Sequence, residues 1–199
     1  MKSSGCFYKK KIFVCILLTA VAYLISLYHI IELPAGGSVT FCSTLFLYLI
    51  TYFFGVRTGA VWGAVYGLCK FLTALATDIY APEISDLILD YMAGYAAVSL
   101  GGLVRMRKGK AFGTLQIGYL AGMAARFAVA CISGMCFYYD RGQSAWENLR
   151  YVAAYNGGYI LAEGMICFGI LCIPPVIEAL NYLKEGFEKK DADITLEEF

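Results

Sequence analysis

One carboxylate, Asp90, sits inside an otherwise apolar stretch running from 84 to 104 and is followed at once by Tyr91. Pro82 is suited to opening a helix there, and Glu83 falls in its first turn, where the helix dipole favours an anion. Asp90 then lies roughly 12 Å deeper at 1.5 Å per residue. A charge at that depth is costly unless it faces a cavity or a cation, so a functional role is the default. The chemistry on offer is recognition of a cation: Asp90 supplies the opposing charge, and Tyr91 with Tyr80 supplies aromatic faces.

Other aromatic and polar side chains gather toward the same end of the chain's apolar stretches. Tyr138 and Tyr139 close one of them, and Tyr151, Tyr155 and Tyr159 open the next. Tyrosines at such positions serve either a binding pocket or an ordinary interfacial belt. Asn156 carries two amide donors and an acceptor, which suit either the edge of a heterocycle or a bond between helices. Arg126, Lys70 and Glu163 lie deeper and are expected to pair with one another or with a partner protein, outside the site.

Positioning these groups falls to six apolar stretches, at 12–31, 39–54, 59–77, 84–104, 112–138 and 151–180. A helical crossing of a bilayer takes about 20 residues, so most are long enough, while the second is short and needs help from its loop. Basic residues cluster at every second junction: Lys9-Lys10-Lys11, then Arg57, then Arg105 with Arg107, Lys108 and Lys110, then Lys184 with Lys189 and Lys190. The positive-inside rule puts those junctions in the cytoplasm, with both termini. The fold class expected is an all-α integral membrane protein of six helices, with a pocket facing outward near the outer helix ends.

The chain has 199 residues, 60% of them hydrophobic, which leaves room for a single membrane domain, 1–199, with a core at about 12–180 and a cytoplasmic tail at 181–199 that is expected to fray. A net charge of +1 gives no reason to expect nucleic acid. The basic start of the first stretch looks like a signal peptide, but its apolar run is too long and no cleavage pattern closes it, so it reads as a retained helix. Eight cysteines include no C-x-x-C pair, and His29, the one histidine, falls at the outer end of the first helix. Neither a metal centre, a cofactor nor a catalytic constellation is indicated.

Gly55, Gly59, Gly63 and Gly67 recur every fourth residue, and Gly118 and Gly122 repeat the pattern, so both helices offer smooth stripes for close packing. Thr19, Ala20 and Ala22 give the first helix a small-residue patch, open to another helix of the chain or to a second subunit.

Four segments together resemble the thiamin-specific substrate-binding subunits, or S components, of energy-coupling-factor vitamin transporters. Pro34-Ala35-Gly36-Gly37-Ser38 is similar to that family's P-x-G-G-S loop. Leu89-Asp90-Tyr91 with Ala96-Ala97 is similar to its acidic-Tyr motif. Arg126-Phe127, Ile132-Ser133-Gly134 and Tyr138 resemble its fifth-helix signature, and Tyr151 with Tyr155-Asn156-Gly157 the start of its sixth. The resemblance implies that Asp90, Tyr91, Gly134, Tyr138, Tyr151 and Asn156 bind the ligand, with Tyr80 also facing it. Gly37, in a loop that glycine leaves free to rearrange, would help cover the occupied pocket.

Ala130 marks a departure, since the family usually places a ligand-facing histidine there. Ala130, Gly134 and Tyr138 share one helix face, so the substitution opens space and removes a hydrogen-bonding group. The ligand implied is therefore thiamin held differently, a precursor, or another small heterocycle. No G-x-x-x-x-G-K-[ST] phosphate loop occurs, so energy would come from the family's separate coupling subunit and two ATPases, docking on Thr19, Ala20 and Ala22. Rival classes are a stand-alone ion-coupled carrier, with Asp90, Glu163, Lys70 and Arg126 as a proton route, and a membrane enzyme.

Overall fold

The computed structural model describes residues 2–32, 38–77, 87–104 and 111–197. Helices dominate. α1 (Lys2–Ile25) leads into a short antiparallel ribbon, β1 (His29–Glu32) with β2 (Ser38–Thr40), which pairs His29 with Thr40 and Glu32 with Ser38. α2 (Ser43–Phe54) and α3 (Val56–Thr77) follow, then the composite helix α4 (Leu87–Leu103), α5 (Ala111–Phe137), α6 (Ala145–Leu171) and α7 (Pro174–Glu197). Consecutive helices pack as neighbours from α1 through α6, and α4 also lies against α2.

Two helices, α3 and the Gly113–Phe137 part of α5, are long and apolar enough by themselves to cross a membrane; α6 with α7 adds a third if the bent pair is one span. The other expected crossings fall short for visible reasons. α1 carries Lys9, Lys10 and Lys11 within its length. α2 has 12 residues, or ~18 Å at 1.5 Å each. The ribbon takes residues that the sequence reading gave to the ends of the first two spans, so the chain departs from a purely helical fold there.

α4 is irregular along its whole length: a π-helical start at Leu87–Ala93, one α-helical turn at Gly94–Ala97, and a 3-10 end at Val98–Leu103. A π segment widens the helix and shifts its side chains, and such segments recur at functional sites. Asp90 and Tyr91 are inside it. The glycine stripe of α3 presses on this helix: a Cβ on Gly63 would come within 2.7 Å of the Tyr95 carbonyl, and one on Gly67 would run into the Tyr91 carbonyl. The stripe is thus spent within the chain. Gly118 and Gly122 do the same against Gly101 and Val98.

The sixth stretch is not one helix. α6 ends at Leu171, and α7 leaves it at 83°. Pro174 and Pro175 explain the turn, because neither ring nitrogen can donate to the carbonyl one turn back. Nor is the tail frayed over its described length, since α7 runs to Glu197. Its Phe187 lies 5.5 Å from the ring of Phe53 and 4.9 Å from that of Phe54, Tyr52 donates to Asn181 Oδ1 at 2.5 Å, and the Lys184 ammonium sits 4.2 Å from the centre of the Tyr52 ring. Burial holds Lys184 below the usual lysine pKa, although Glu188 is beside it. A cavity of about 180 Å³ opens at this end of α2, lined by Tyr48, Tyr52, Phe53, Thr114 and Lys184 among others; no candidate ligand residue lines it.

Thr19 and Ala22 are buried, Ala22 against Leu47 and Tyr66. They meet the chain's own helices, which removes them from the expected docking face. Ala20 alone of the three points outward, on one side with the exposed Phe13, Ile16, Leu17 and Leu24.

Candidate functional site

Three helices bring the candidate residues together. Asp90 and Tyr91 come from the π segment of α4, both half-buried, with the Tyr91 ring edge-on to Phe71 at 5.5 Å. The π segment that carries Asp90 packs against α3 and α5. Tyr159 donates to Asn156 Oδ1 at 2.7 Å, and Asn156 Nδ2 donates to the Ala130 carbonyl of α5 at 3.3 Å. Ala130 and Asn156 are therefore joined across α5 and α6, and Asp90 stands on the helix packed on the other side of α5.

α6 also forms an aromatic ladder leading into that region. Tyr151, 63% exposed, stacks on Tyr155 at 6.3 Å and 16°, and Tyr155 meets Tyr159 edge-on at 5.9 Å. The spacing of four residues makes the ladder, because i and i+4 side chains are neighbours on a helix. Tyr138 follows the C-terminal end of α5, 59% exposed. Exposure thus falls along α6 from Tyr151 to the buried Asn156.

Gly134 faces the neighbouring helix. A Cβ there would meet Val152 Cγ1 at 2.5 Å, so the glycine lets α5 and α6 approach closely just above Ala130. Gly37 and Tyr80 lie outside the described residues. Trp146 is highly exposed at the start of α6.

The N-terminal end of α6 is firmly built. Ser144 and Glu147 form a reciprocal capping box, in which the Ser144 hydroxyl accepts from the Glu147 N–H and the Glu147 carboxylate accepts from the Ser144 N–H at 2.8 Å. The Ser144 hydroxyl and amide hold the Glu147 carboxyl below its usual value. Asn148 exchanges hydrogen bonds of 2.9 Å with the backbone of Asp140, tying the connection from α5 to the helix that carries the ladder.

Beneath this region is a polar cluster that the sequence reading set outside the site. The Arg126 Nη1 lies 3.6 Å from Glu163 Oε2, with the guanidinium carbon 4.4 Å from the centre of the Tyr95 ring. Mutual pairing of Arg126 and Glu163 was one of the two readings open, and it is the one found. Lys70 takes a different partner, donating to the Ser26 carbonyl at 3.3 Å. Glu163, only 2% exposed, also accepts from the Ser43 hydroxyl at 2.9 Å and from the Thr44 N–H at 3.0 Å. The signal that could have found this role is α2's shortness: a helix that begins inside the apolar layer needs a buried acceptor for its first N–H groups.

Chemically the region offers a half-buried anion, a run of aromatic faces and a partly satisfied amide, a set suited to a planar cationic heterocycle. Among the described residues no cluster of three metal-binding side chains occurs. A family model described as thiamine transporter protein (Thia_YuaJ) matches residues 12–182. The chain belongs to that family. A curated relative, "Thiamine transporter ThiT" of Bacillus subtilis (strain 168), is 26% identical over 168 residues, covering 79% of this chain and 85% of the relative. Family membership and the apolar helices make the chain a membrane transport protein, and the match takes in all the residues gathered between α4, α5 and α6.

Proposed function

We propose that the chain is the substrate-binding membrane subunit of an uptake system for thiamin or a closely related heterocycle, and not an enzyme. The observation that supports this is membership of the thiamine transporter family in a chain that carries Asp90 in the π segment of α4 and the Tyr151–Tyr155–Tyr159 ladder on α6. Thiamin has a permanently positive thiazolium ring and an aminopyrimidine. Asp90 opposes the positive charge, Tyr91, Tyr138 and Tyr151 supply stacking faces, and Asn156 reads a ring edge with the donor and acceptor capacity left after its bonds to Ala130 and Tyr159. Tyr80 and Gly37 join them from the outer loops. Ala130 leaves space where the family's usual histidine would stand, which is why the ligand class includes thiamin's relatives.

In this reading the chain is a multi-pass protein of the cell membrane, with both termini in the cytoplasm and the pocket opening outward. It carries no phosphate loop, so a separate coupling subunit with two ATPases energises it. The docking side is the outward face of α1 around Ala20, since Thr19 and Ala22 are occupied inside the chain. The alternative, a stand-alone ion-coupled carrier, gains one feature from the bend between α6 and α7. Carrier sites sit between half-helices near the bilayer midplane, whereas this bend lies at the end remote from Asp90.

Calorimetric titration of the purified protein in detergent tests the reading, with thiamin as ligand and hydroxymethylpyrimidine and riboflavin as comparators. Tight thiamin binding is expected. A folded sample that ignores thiamin and binds a comparator would move the substrate away from thiamin, and one that binds none of the three would overturn the ligand class.

A further inference from the structure

Asn156 lies in the interior of α6, where an asparagine usually turns to its own neighbouring backbone. Here it reaches across to α5 instead. Its Nδ2 stands 3.3 Å from the Ala130 carbonyl, and its Oδ1 is 2.7 Å from the hydroxyl of Tyr159 on the next turn of the same helix. Together the two contacts decide which way round the amide sits. A carbonyl oxygen can only accept, so the nitrogen faces Ala130, the oxygen is left toward Tyr159, and the Tyr159 hydroxyl donates. Flipped, the amide would set oxygen against oxygen at Ala130.

The two bonds are unequal. The Tyr159 contact is at the usual distance for a hydroxyl donor, while the Ala130 contact is longer than most N–H···O bonds. Tyr159 is therefore the firmer hold. Its ring is placed by packing: Tyr155 meets it edge-on at 5.9 Å, and it rests against the buried cluster that contains Ala130 and Ile160. An amide carries two N–H groups and two lone pairs on its oxygen, and one of each is used here. Asn156 is only 8% exposed, so among the described residues one buried N–H and one lone pair have no hydrogen-bond partner. Such groups are costly to leave unmade, and a ligand with a donor beside an acceptor satisfies both.

We propose that Tyr159 is a positioning residue for ligand choice: acting through Asn156, it fixes the order in which the amide presents its free N–H and lone pair, and so sets which ring edge is accepted. The proposal rests on the reading of Asn156 as a ligand contact in a thiamin-binding chain. The edge favoured is an amino donor beside a ring-nitrogen acceptor, as in an aminopyrimidine, over the same edge reversed.

Paired calorimetric titrations of full-length protein in detergent, with thiamin and with oxythiamin, test this. Oxythiamin keeps the thiazolium ring but carries a carbonyl beside a ring N–H where thiamin carries an amino group beside a ring nitrogen, so donor and acceptor trade places. Wild type is expected to prefer thiamin by about a hundredfold, and Tyr159→Phe by about tenfold or less, because a loosened amide turns to serve either edge. In an Asn156→Ala background, Tyr159→Phe should change the ratio no further. A tyrosine that only packs the helix would weaken both ligands alike; an unchanged ratio in Tyr159→Phe would therefore overturn the proposal, as would a further fall in the Asn156→Ala background. If Tyr159→Phe does not fold, Tyr159→Leu removes the same hydroxyl with a smaller side chain and is judged by the same ratio. Wild type that binds thiamin and oxythiamin equally would overturn the proposal and leave the thiamin reading standing, whereas wild type that binds neither would overturn both.

Discussion

Two carboxylates interrupt the apolar stretches of this chain at Asp90 and Glu163, and their surroundings differ. Glu163 is sealed, with a hydroxyl, a backbone N–H and an arginine around it. Asp90 is half-buried, in a widened helix, beside aromatic rings. Depth alone treats them alike, since either charge is expensive in hydrocarbon. Exposure and backbone separate them: Glu163 is held by the chain's own backbone and a fixed cation, while Asp90 is half-buried in the π segment of α4. A charge sealed among the protein's own donors reads as structural, and one left half-buried in a widened helix is the better candidate for a ligand.

The sharpest way to break that contrast is to remove each charge. Glu163→Leu leaves the Arg126 guanidinium buried without its counter-charge, and such losses cost about 3–5 kcal/mol. Thermal unfolding in detergent should therefore show a large drop in stability, and Arg126→Met in the same chain should return much of it. Full wild-type stability in Glu163→Leu would remove the anchoring role. At the other carboxylate the effect belongs to binding: Asp90→Asn should weaken thiamin by about a hundredfold, ~2.7 kcal/mol, with little change in the melting temperature. Neutral hydroxymethylpyrimidine should lose far less, and equal losses for both ligands would deny Asp90 its charge-pairing role.

The same logic explains which parts of the molecule were legible in the sequence. Asp90 stood out because a lone acid in an apolar run breaks a pattern. The glycine stripe of α3 was visible as a period of four, and the structure spends it on the α4 backbone at Tyr95 and Tyr91. Thr19 and Ala22 were misplaced because small residues mark a close contact without naming which neighbour makes it, and α2 and α3 fill that face. The turn after Leu171 was signalled by Pro174 and Pro175, but the apolar run continues through Leu180 and hid the break. The ribbon at His29–Thr40 is too short for alternation to register. Glu163 was seen as a charge needing a partner; its hold on α2 depends on a contact across more than a hundred residues, which no local pattern encodes.

α5 supplies a finer test, because Gly134 and Ala130 share a face yet meet different things. Gly134→Ala pushes a methyl into Val152, and overpacking of this kind costs about 1–3 kcal/mol. Val152→Ala should relieve it, restoring both melting temperature and ligand affinity. Affinity that stays low after stability returns would put Gly134 back against the ligand. Ala130→His adds a ring that hydrogen-bonds, so in the proposed reading it should move preference toward thiamin over hydroxymethylpyrimidine in paired titrations. An unchanged ratio would show that position 130 does not tune selectivity.

A third carboxylate sets the lower limit of the series. Glu147 is fully exposed at the outer end of α6, and its pKa is lowered from 4.5 by the Ser144 hydroxyl and amide. A group whose folded pKa is depressed adds stability above its unfolded pKa and loses it as pH falls through the folded value. Wild type and Ser144→Ala should therefore differ slightly in melting temperature at pH 7, with wild type higher, and the part of the difference owed to the carboxylate should vanish once the pH is below both values. Because the pair is solvated, this effect should be the smallest of the series and should shrink in high salt. A gap that stays constant from pH 7 to pH 3 would mean that the Ser144 hydroxyl caps α6 by itself, with the charge of Glu147 contributing nothing.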